Sequence, residues 1–344
     1  TNASILMMSN STANLSSDCA SSSPVTVHVV VSYLSFFMFP IALILNVVAS
    51  WVSLHLPSTS TFIVYLKNLL AADLLMTLML PLKAASMLPS ATTELRVFHC
   101  RYIGVVFYNC LYTSIALMGL ISLDRFFKIV KPCGKVLGQN KKFSVIMSSL
   151  VWVVLFGSTV IPTIVLTNQY PTTITDDLCM SLKTPAGRTF HKYVVLFMDF
   201  LFWFVCILIV FCYICITLKV LQSFRNSGSR KQKIKLRVFL VIIVLFVSFG
   251  PYHICRIPYT FYQVNYSSSP CSLELGKFAK EVTLWLATTN ICMDPLLYVF
   301  LCREFKEKLM YMMTNVTISL KAASAAVKRM QKGVQNKQDD KLCV

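Results

Sequence analysis

Residues 100–130 read CRYIGVVFYNCLYTSIALMGLISLDRFFKIV, an almost unbroken apolar run that ends on an acid and a base, Asp124-Arg125. A bilayer core about 30 Å thick asks for roughly 20 consecutive, mostly apolar residues per helix, and this run exceeds that length. The same test carried outward in both directions finds six more. The predicted spans are Val25–Ser53, Thr61–Leu88, Cys100–Val130, Phe143–Leu166, Tyr193–Leu221, Val238–Tyr262 and Phe278–Leu301. Composition agrees: 56% of the 344 residues are hydrophobic, 13% are charged, and the mean hydropathy is +0.66. The expected fold class is therefore all-α, a seven-transmembrane helix bundle. Its expected organisation is an outward glycosylated segment (1–24), the membrane domain (25–301), a short amphipathic helix on the membrane surface (302–314) and a polar, basic tail expected to be disordered (315–344). The connections between spans are too short to fold a second domain, so neither enzyme activity nor a cofactor is expected.

A net charge of +18 invites a nucleic-acid reading, but its distribution argues against one. Most basic residues fall on one side, at Lys67, Arg125 to Lys142, Lys219 to Arg237 and Arg303 to Lys341. The other side holds Lys83, Arg96, Arg101, Lys183, Arg188, Lys192, Arg256, Lys277 and Lys280. The richer side is expected to be cytoplasmic, which places the N-terminus outside, the C-terminus inside and the protein in the plasma membrane. The basic excess then faces anionic membrane lipid and a cytoplasmic partner, and no nucleic-acid polymer is needed.

Residues 1–23 are polar and lack the short apolar core of a signal peptide, so the first span is expected to serve as its own insertion signal. Glycosylation sequons stand at Asn2, Asn10 and Asn14, with another at Asn265 on the same side, while a match at Asn315 falls on the cytoplasmic side. Of the 13 cysteines, Cys19, Cys100, Cys179 and Cys271 lie in or beside outward segments where disulfides form, and the sequence alone leaves three pairings open.

Ionisable groups at bilayer depth cost about 2.5–3.5 kcal/mol each, so they persist where they face partners or a hydrated interior. Asp73 and Asp294 stand mid-span and, with Asn46, Ser122, Thr289 and Asn290, are expected to build a polar core between helices. Two carboxylates exceed what packing requires, and a proton or a cation, sodium at Asp73 being the candidate, would bias alternative helix packings. No other metal is expected. Prolines at Pro40, Pro81, Pro162, Pro251, Pro258 and Pro295 supply kinks. A channel is disfavoured because neither acid belongs to a charged ring and no carbonyl filter is visible. A light-driven pump is disfavoured because the last span carries no mid-span lysine.

Leu123-Asp124-Arg125-Phe126 closes the third span and Asp294-Pro295-Leu296-Leu297-Tyr298 lies in the seventh. With Asn46, Asp73, Trp152, Tyr213 and Pro251 each on a different span, the chain resembles the rhodopsin-like G-protein-coupled receptors over nearly its whole length. That resemblance implies an Arg125 locked by Asp124 at rest and freed to meet a heterotrimeric G protein alongside Tyr213 and Tyr298. It also implies the disulfides Cys100–Cys179 and Cys19–Cys271. A narrower match, in Pro251-Tyr252-His253-Ile254-Cys255-Arg256-Ile257-Pro258-Tyr259-Thr260 and Lys280-Glu281-Val282-Thr283-Leu284, resembles the metabotropic purinergic receptors, in the branch that answers ADP or UDP-sugars through the inhibitory G protein, with its orphan relatives. Phe107-Tyr108, Tyr112, Leu182-Lys183 and Phe190-His191 support it.

His253, Arg256 and Tyr259 recur every three residues and so share one face of the sixth helix near its outer end, with Lys280 opening the next helix on the same side. A guanidinium and an ammonium across a cavity suit a diphosphate, each charge-assisted hydrogen bond contributing about 1.5–3 kcal/mol. Tyr108 is placed to stack on a nucleobase. The candidate ligand-binding set is Arg256, Lys280, Tyr259, His253, Tyr108, Lys183, His191, Arg96 and Tyr112. Taken alone, these residues also admit a plainer arrangement in which Arg256 snorkels and Lys280 pairs with Glu281 at the surface. Thr163 and Val195 depart from the asparagines of the ADP-receptor pattern and leave the base end of the ligand open. The rivals are a lysophospholipid receptor or an orphan on the same scaffold and, from another class, a channel or transporter.

Overall fold

The computed structural model describes residues 24–57, 60–130, 140–170, 178–223, 228–264 and 270–342, and among them every regular element is a helix. In hydrocarbon no water is present to take up backbone N–H and C=O groups, so an apolar chain must bond them within itself, as a helix does. The elements are α1 (Pro24–Leu54), α2 (Thr61–Met87), α3 (Thr93–Val130), α4 (Lys141–Leu166), α5 (Pro185–Ser223), α6 (Gly228–Val264), α7 (Pro270–Thr288 and Asn290–Leu301) and α8 (Arg303–Leu342). Each of α1 to α6 is long and apolar enough to cross a membrane by itself. The seventh expected span is α7, interrupted at Thr289 where its middle turns polar, and followed by a bend of 96° into α8.

Helix ends depart from the sequence reading. α5 starts at Pro185 and α6 at Gly228, both well before the apolar runs begin. The segments ahead of those runs are rich in Lys, Arg and Gln or carry a cap, and they extend a helix beyond the hydrocarbon. At the head of α5, Thr184 Oγ1 accepts from the Gly187 N–H at 3.0 Å. The chain there presses so close to α4 that a Cβ on Gly187 would meet the Leu166 carbonyl oxygen at 2.7 Å.

α3 lies at the centre, packed on α2, α4 and α5, while α6 joins α5 to α7. The main core gathers Met76, Leu80, Phe107, Tyr112, Phe202, Phe249, Tyr252 and Leu284. α4 is the outlier, with Ile146, Val153, Ile161 and Val165 all exposed on its flank. Two polar hooks hold it: Trp152 Nε1 donates to Asn68 Oδ1 of α2 at 3.1 Å, and Asn109 Nδ2 of α3 donates to the Leu155 carbonyl at 2.9 Å and to Thr159 Oγ1 at 2.8 Å. The second hook grips a π turn, Phe156–Val160, and another π turn, His99–Ile103, interrupts α3.

After the bend, Phe305 and Met312 bury themselves in a second core with Val52, Ile63 and Tyr298. This is the amphipathic helix expected over 302–314. The tail expected to be disordered from 315 instead continues α8 to Leu342. Its reason is local: Leu320, Lys321, Ala322, Ala323, Ala325, Ala326, Lys328 and Gln331 are strong helix formers with no proline among them, and composition alone had masked that propensity.

Candidate functional site

The Cys100–Cys179 disulfide joins the π turn of α3 to a short helix, Leu178–Ser181, and so folds the segment between α4 and α5 over one end of the bundle. That segment is fastened further by Gln169 N–H to the Leu182 carbonyl and Thr184 N–H to the Leu166 carbonyl, both 3.0 Å. Beneath it lies a cavity of about 230 Å³ walled by α1 to α7. Lys183 reaches this cavity from the segment, and its burial pushes the ammonium pKa down to about 8. The partner pair Cys19–Cys271 and the sequons Asn2, Asn10 and Asn14 lie outside the described residues and side chains.

Arg256 is buried on the α6 wall and forms no ion pair among the described residues. Phenols surround it instead. Its Nη1 donates to Tyr112 Oη at 3.0 Å and to Tyr252 Oη, and its guanidinium lies 4.9 Å from the Tyr108 ring centre and 5.3 Å from that of Tyr252. Tyr108 and Tyr252 stack with rings 13° apart. A cation held by neutral acceptors and π faces keeps most of its charge available to an incoming anion. Across the cavity Lys280 Nζ meets Glu281 at 2.6 Å and lies 5.2 Å from the Tyr259 ring centre. The pairing with Glu281 envisaged at the surface thus exists, but it faces the cavity.

Of the nine expected ligand residues, Arg256, Lys280, Tyr259, Tyr108, Lys183, His191 and Tyr112 line this one cavity. His253 and Arg96 do not. His253 lies a turn deeper, stacked on Phe202 at 3.7 Å and held by the Phe249 carbonyl at 2.8 Å and Tyr112 Oη at 3.1 Å. A shared helix face fixes direction but not depth, so His253 becomes a prop beneath Tyr112. Arg96 spends its Nη2 on the Leu88 and Pro89 carbonyls at 2.9 and 3.2 Å, bracing the turn after α2. The residues missed by sequence reading are Lys83, His28 and His99, which line the α1, α2 and α3 side. Each was isolated in sequence, and only the fold assembles them. Thr163 lines the cavity from α4, whereas Val195 is buried beside the lining Val194.

Midway down the bundle, Asp73 accepts from Ser114 Oγ at 3.0 Å and from Tyr298 Oη at 3.5 Å, Asn290 Nδ2 donates to Asp294 at 2.7 Å, and the two carboxyls lie within mutual hydrogen-bond reach. Asn46 Nδ2 ties α1 to the Ile291 carbonyl of α7 at 2.8 Å, the carbonyl to which Pro295 has no N–H to donate. Ser122, expected in this core, lines one cavity with Asn290, Asp294 and Tyr298 while its hydroxyl donates to the Met118 carbonyl of its own helix; Thr289 donates to the Leu286 carbonyl, and Ser114 joins the core. At the far end stand the residues of the implied lock. Asp124 is engaged by Thr61 and by Lys128, whose Nζ stands 2.7 Å away, while Arg125 lies over the Phe62 ring at 4.5 Å. The i,i+4 neighbour Lys128 shares the Asp124 face. Tyr213 is buried near Ser122 and Tyr298 faces the Asp73 core.

Apolar helices around a buried polar core, with a cation-lined cavity at one end, define a multi-pass membrane helix bundle. Residues 42–298 match the 7 transmembrane receptor (rhodopsin family). The Y-type purinoceptor 13 of Homo sapiens is 44% identical over 277 residues, covering 79% of this chain and 78% of that protein. The Y-type purinoceptor 14 of Bos taurus is 37% identical over 295 residues, 85% and 87% of the two chains. G-protein coupled receptor 87 of Mus musculus is 36% identical over 284 residues, 82% and 79%. The chain belongs to the rhodopsin family of seven-transmembrane receptors and, within it, to the Y-type purinoceptor branch.

Proposed function

We propose that this receptor senses an extracellular nucleotide of the ADP or UDP-sugar kind and responds by driving an inhibitory-type heterotrimeric G protein. The observation that carries the reading is Arg256, a buried guanidinium without a carboxylate partner among the described residues, sharing one cavity with Lys280 and Lys183 and with the Tyr108 ring beside it. Cations converging on one cavity fit a diphosphate, and a flat phenol fits a base. The relatives named as Y-type purinoceptors support the same ligand class. The disulfide at the cavity end agrees with an outward, oxidising face and hence with the Asp124-Arg125 end in the cytoplasm, where Arg125, Tyr213 and Tyr298 would meet the G protein.

A sodium ion fits beside Asp73. The side-chain carbonyls of Asn46 and Asn290 are buried there without a donor, and Ser114 adds a hydroxyl. When bound, the ion would hold α2 and α7 in one packing.

The test is one panel on cells expressing the chain. ADP, UDP-sugars and lysophospholipids are compared for suppression of cyclic AMP, with Arg256→Ala and Lys280→Ala beside the wild type. Nucleotide suppresses cyclic AMP and both variants lose potency. A response to lysophospholipid alone, or normal nucleotide potency in both variants, overturns the assignment.

A further inference from the structure

Glu281 is the one acid lining the cavity among the described residues, and it shares that cavity with lysines from two further elements and its own helix, Lys83 of α2, Lys183 and Lys280. Its carboxylate already occupies Lys280 at 2.6 Å. An anion that claims Lys280 competes with Glu281 for its charge, and a carboxylate released in a buried site without a new cation is strongly unfavourable. Lys83 of α2 stands ready to be that cation. It is buried, lines the same cavity and forms no ion pair among the described residues; its ammonium rests 5.2 Å from the Phe107 ring centre, and its charge acts on Glu281.

We propose that Glu281 is a built-in stand-in for the ligand's anionic group, and that Lys83 receives it when ligand takes Lys280. Binding then exchanges an ion pair within α7 for one between α7 and α2. These are the two helices that meet deeper down through Tyr298 and Asp73, so the exchange acts on both partners of that contact. The proposal rests on an anion at Lys280, as the nucleotide reading requires.

The experiment uses the full chain in lipid nanodiscs with Lys83→Met, Lys280→Met, Glu281→Gln and the doubles Lys83→Met/Glu281→Gln and Lys280→Met/Glu281→Gln. Without ligand, unfolding temperatures show a stronger coupling between Lys280 and Glu281 than between Lys83 and Glu281. With ADP, Glu281→Gln lowers Kd by roughly fivefold or more, and Lys83→Met raises it by a similar factor. Lys83→Met/Glu281→Gln binds as Glu281→Gln does, because Lys83 matters only while Glu281 needs a host. Lys83→Arg keeps wild-type binding and separates the charge from the fold. Equal losses from Lys83→Met with and without Glu281 make Lys83 a direct ligand contact and overturn the exchange, as does weaker binding in Glu281→Gln. Failure of the wild type to bind ADP or UDP-sugars instead sinks the nucleotide reading. The cycle is then repeated with inorganic pyrophosphate on the unfolding temperature, where additive effects or no shift overturn the exchange as well.

Discussion

Arg256 is held by three tyrosines, and that choice of neighbours sets what replacements do. Both phenol oxygens accept from Nη1, and a lysine at this position supplies charge without the planar group that lies against the Tyr108 and Tyr252 rings and keeps its other N–H groups for an anion. Arg256→Lys should raise the half-maximal nucleotide concentration by about tenfold to a hundredfold, since each charge-assisted hydrogen bond contributes about 1.5–3 kcal/mol; an unchanged concentration-response curve would remove Arg256 from the ligand. Lys183 gives a pH signature. Burial lowers its pKa to about 8, so the folded chain sheds the ammonium proton as pH rises through 8 while an unfolded chain keeps it until about 10.5. The cost of burying that charge is present below pH 8 and relieved between 8 and 10.5, so stability rises there while affinity for an anion falls. Nucleotide titrations at pH 7 and pH 9 check this, and Lys183→Arg should flatten the difference. Arg256, Tyr259 and Lys280 were legible because helical spacing states direction. Lys83 was not, because a lone lysine near the end of a span reads as a boundary charge until α2 is set beside α7.

The helices themselves were readable from apolar length, a signal set by bilayer thickness. Their ends were not, because α5 and α6 run past the hydrocarbon on residues that favour helix without being apolar. Nor were the π turns in α3 and α4 or the Thr289 break; in α4 and at Thr289 side chains compete for backbone carbonyls. The amphipathic start of α8 was visible in its spacing, and its continuation past Thr314 was hidden by polarity. Gly187 shows how tightly one junction is set. Gly187→Ala drives a Cβ against the Leu166 oxygen and should cost about 1–3 kcal/mol, read as a lower unfolding temperature of the purified receptor; an unshifted transition would mean the α4–α5 junction relaxes freely.

At the scale of the molecule, the Cys100–Cys179 bridge spans 79 residues of chain and sets the roof of the cavity. Cys100→Ser should cost about 2–5 kcal/mol and reduce surface expression together with nucleotide potency, and full potency in the fraction that reaches the surface would separate the roof from ligand binding.

α4 shows its apolar flank outward, and hydrocarbon against hydrocarbon has no preferred angle of rotation. Only directional bonds can fix how such a helix is turned, and α4 has them at Trp152 and around Thr159. Thr163 follows Thr159 by one turn on that same face. The azimuth at which Thr163 faces the cavity is therefore held from Asn68 and Asn109, and Asn68 holds it without lining the cavity.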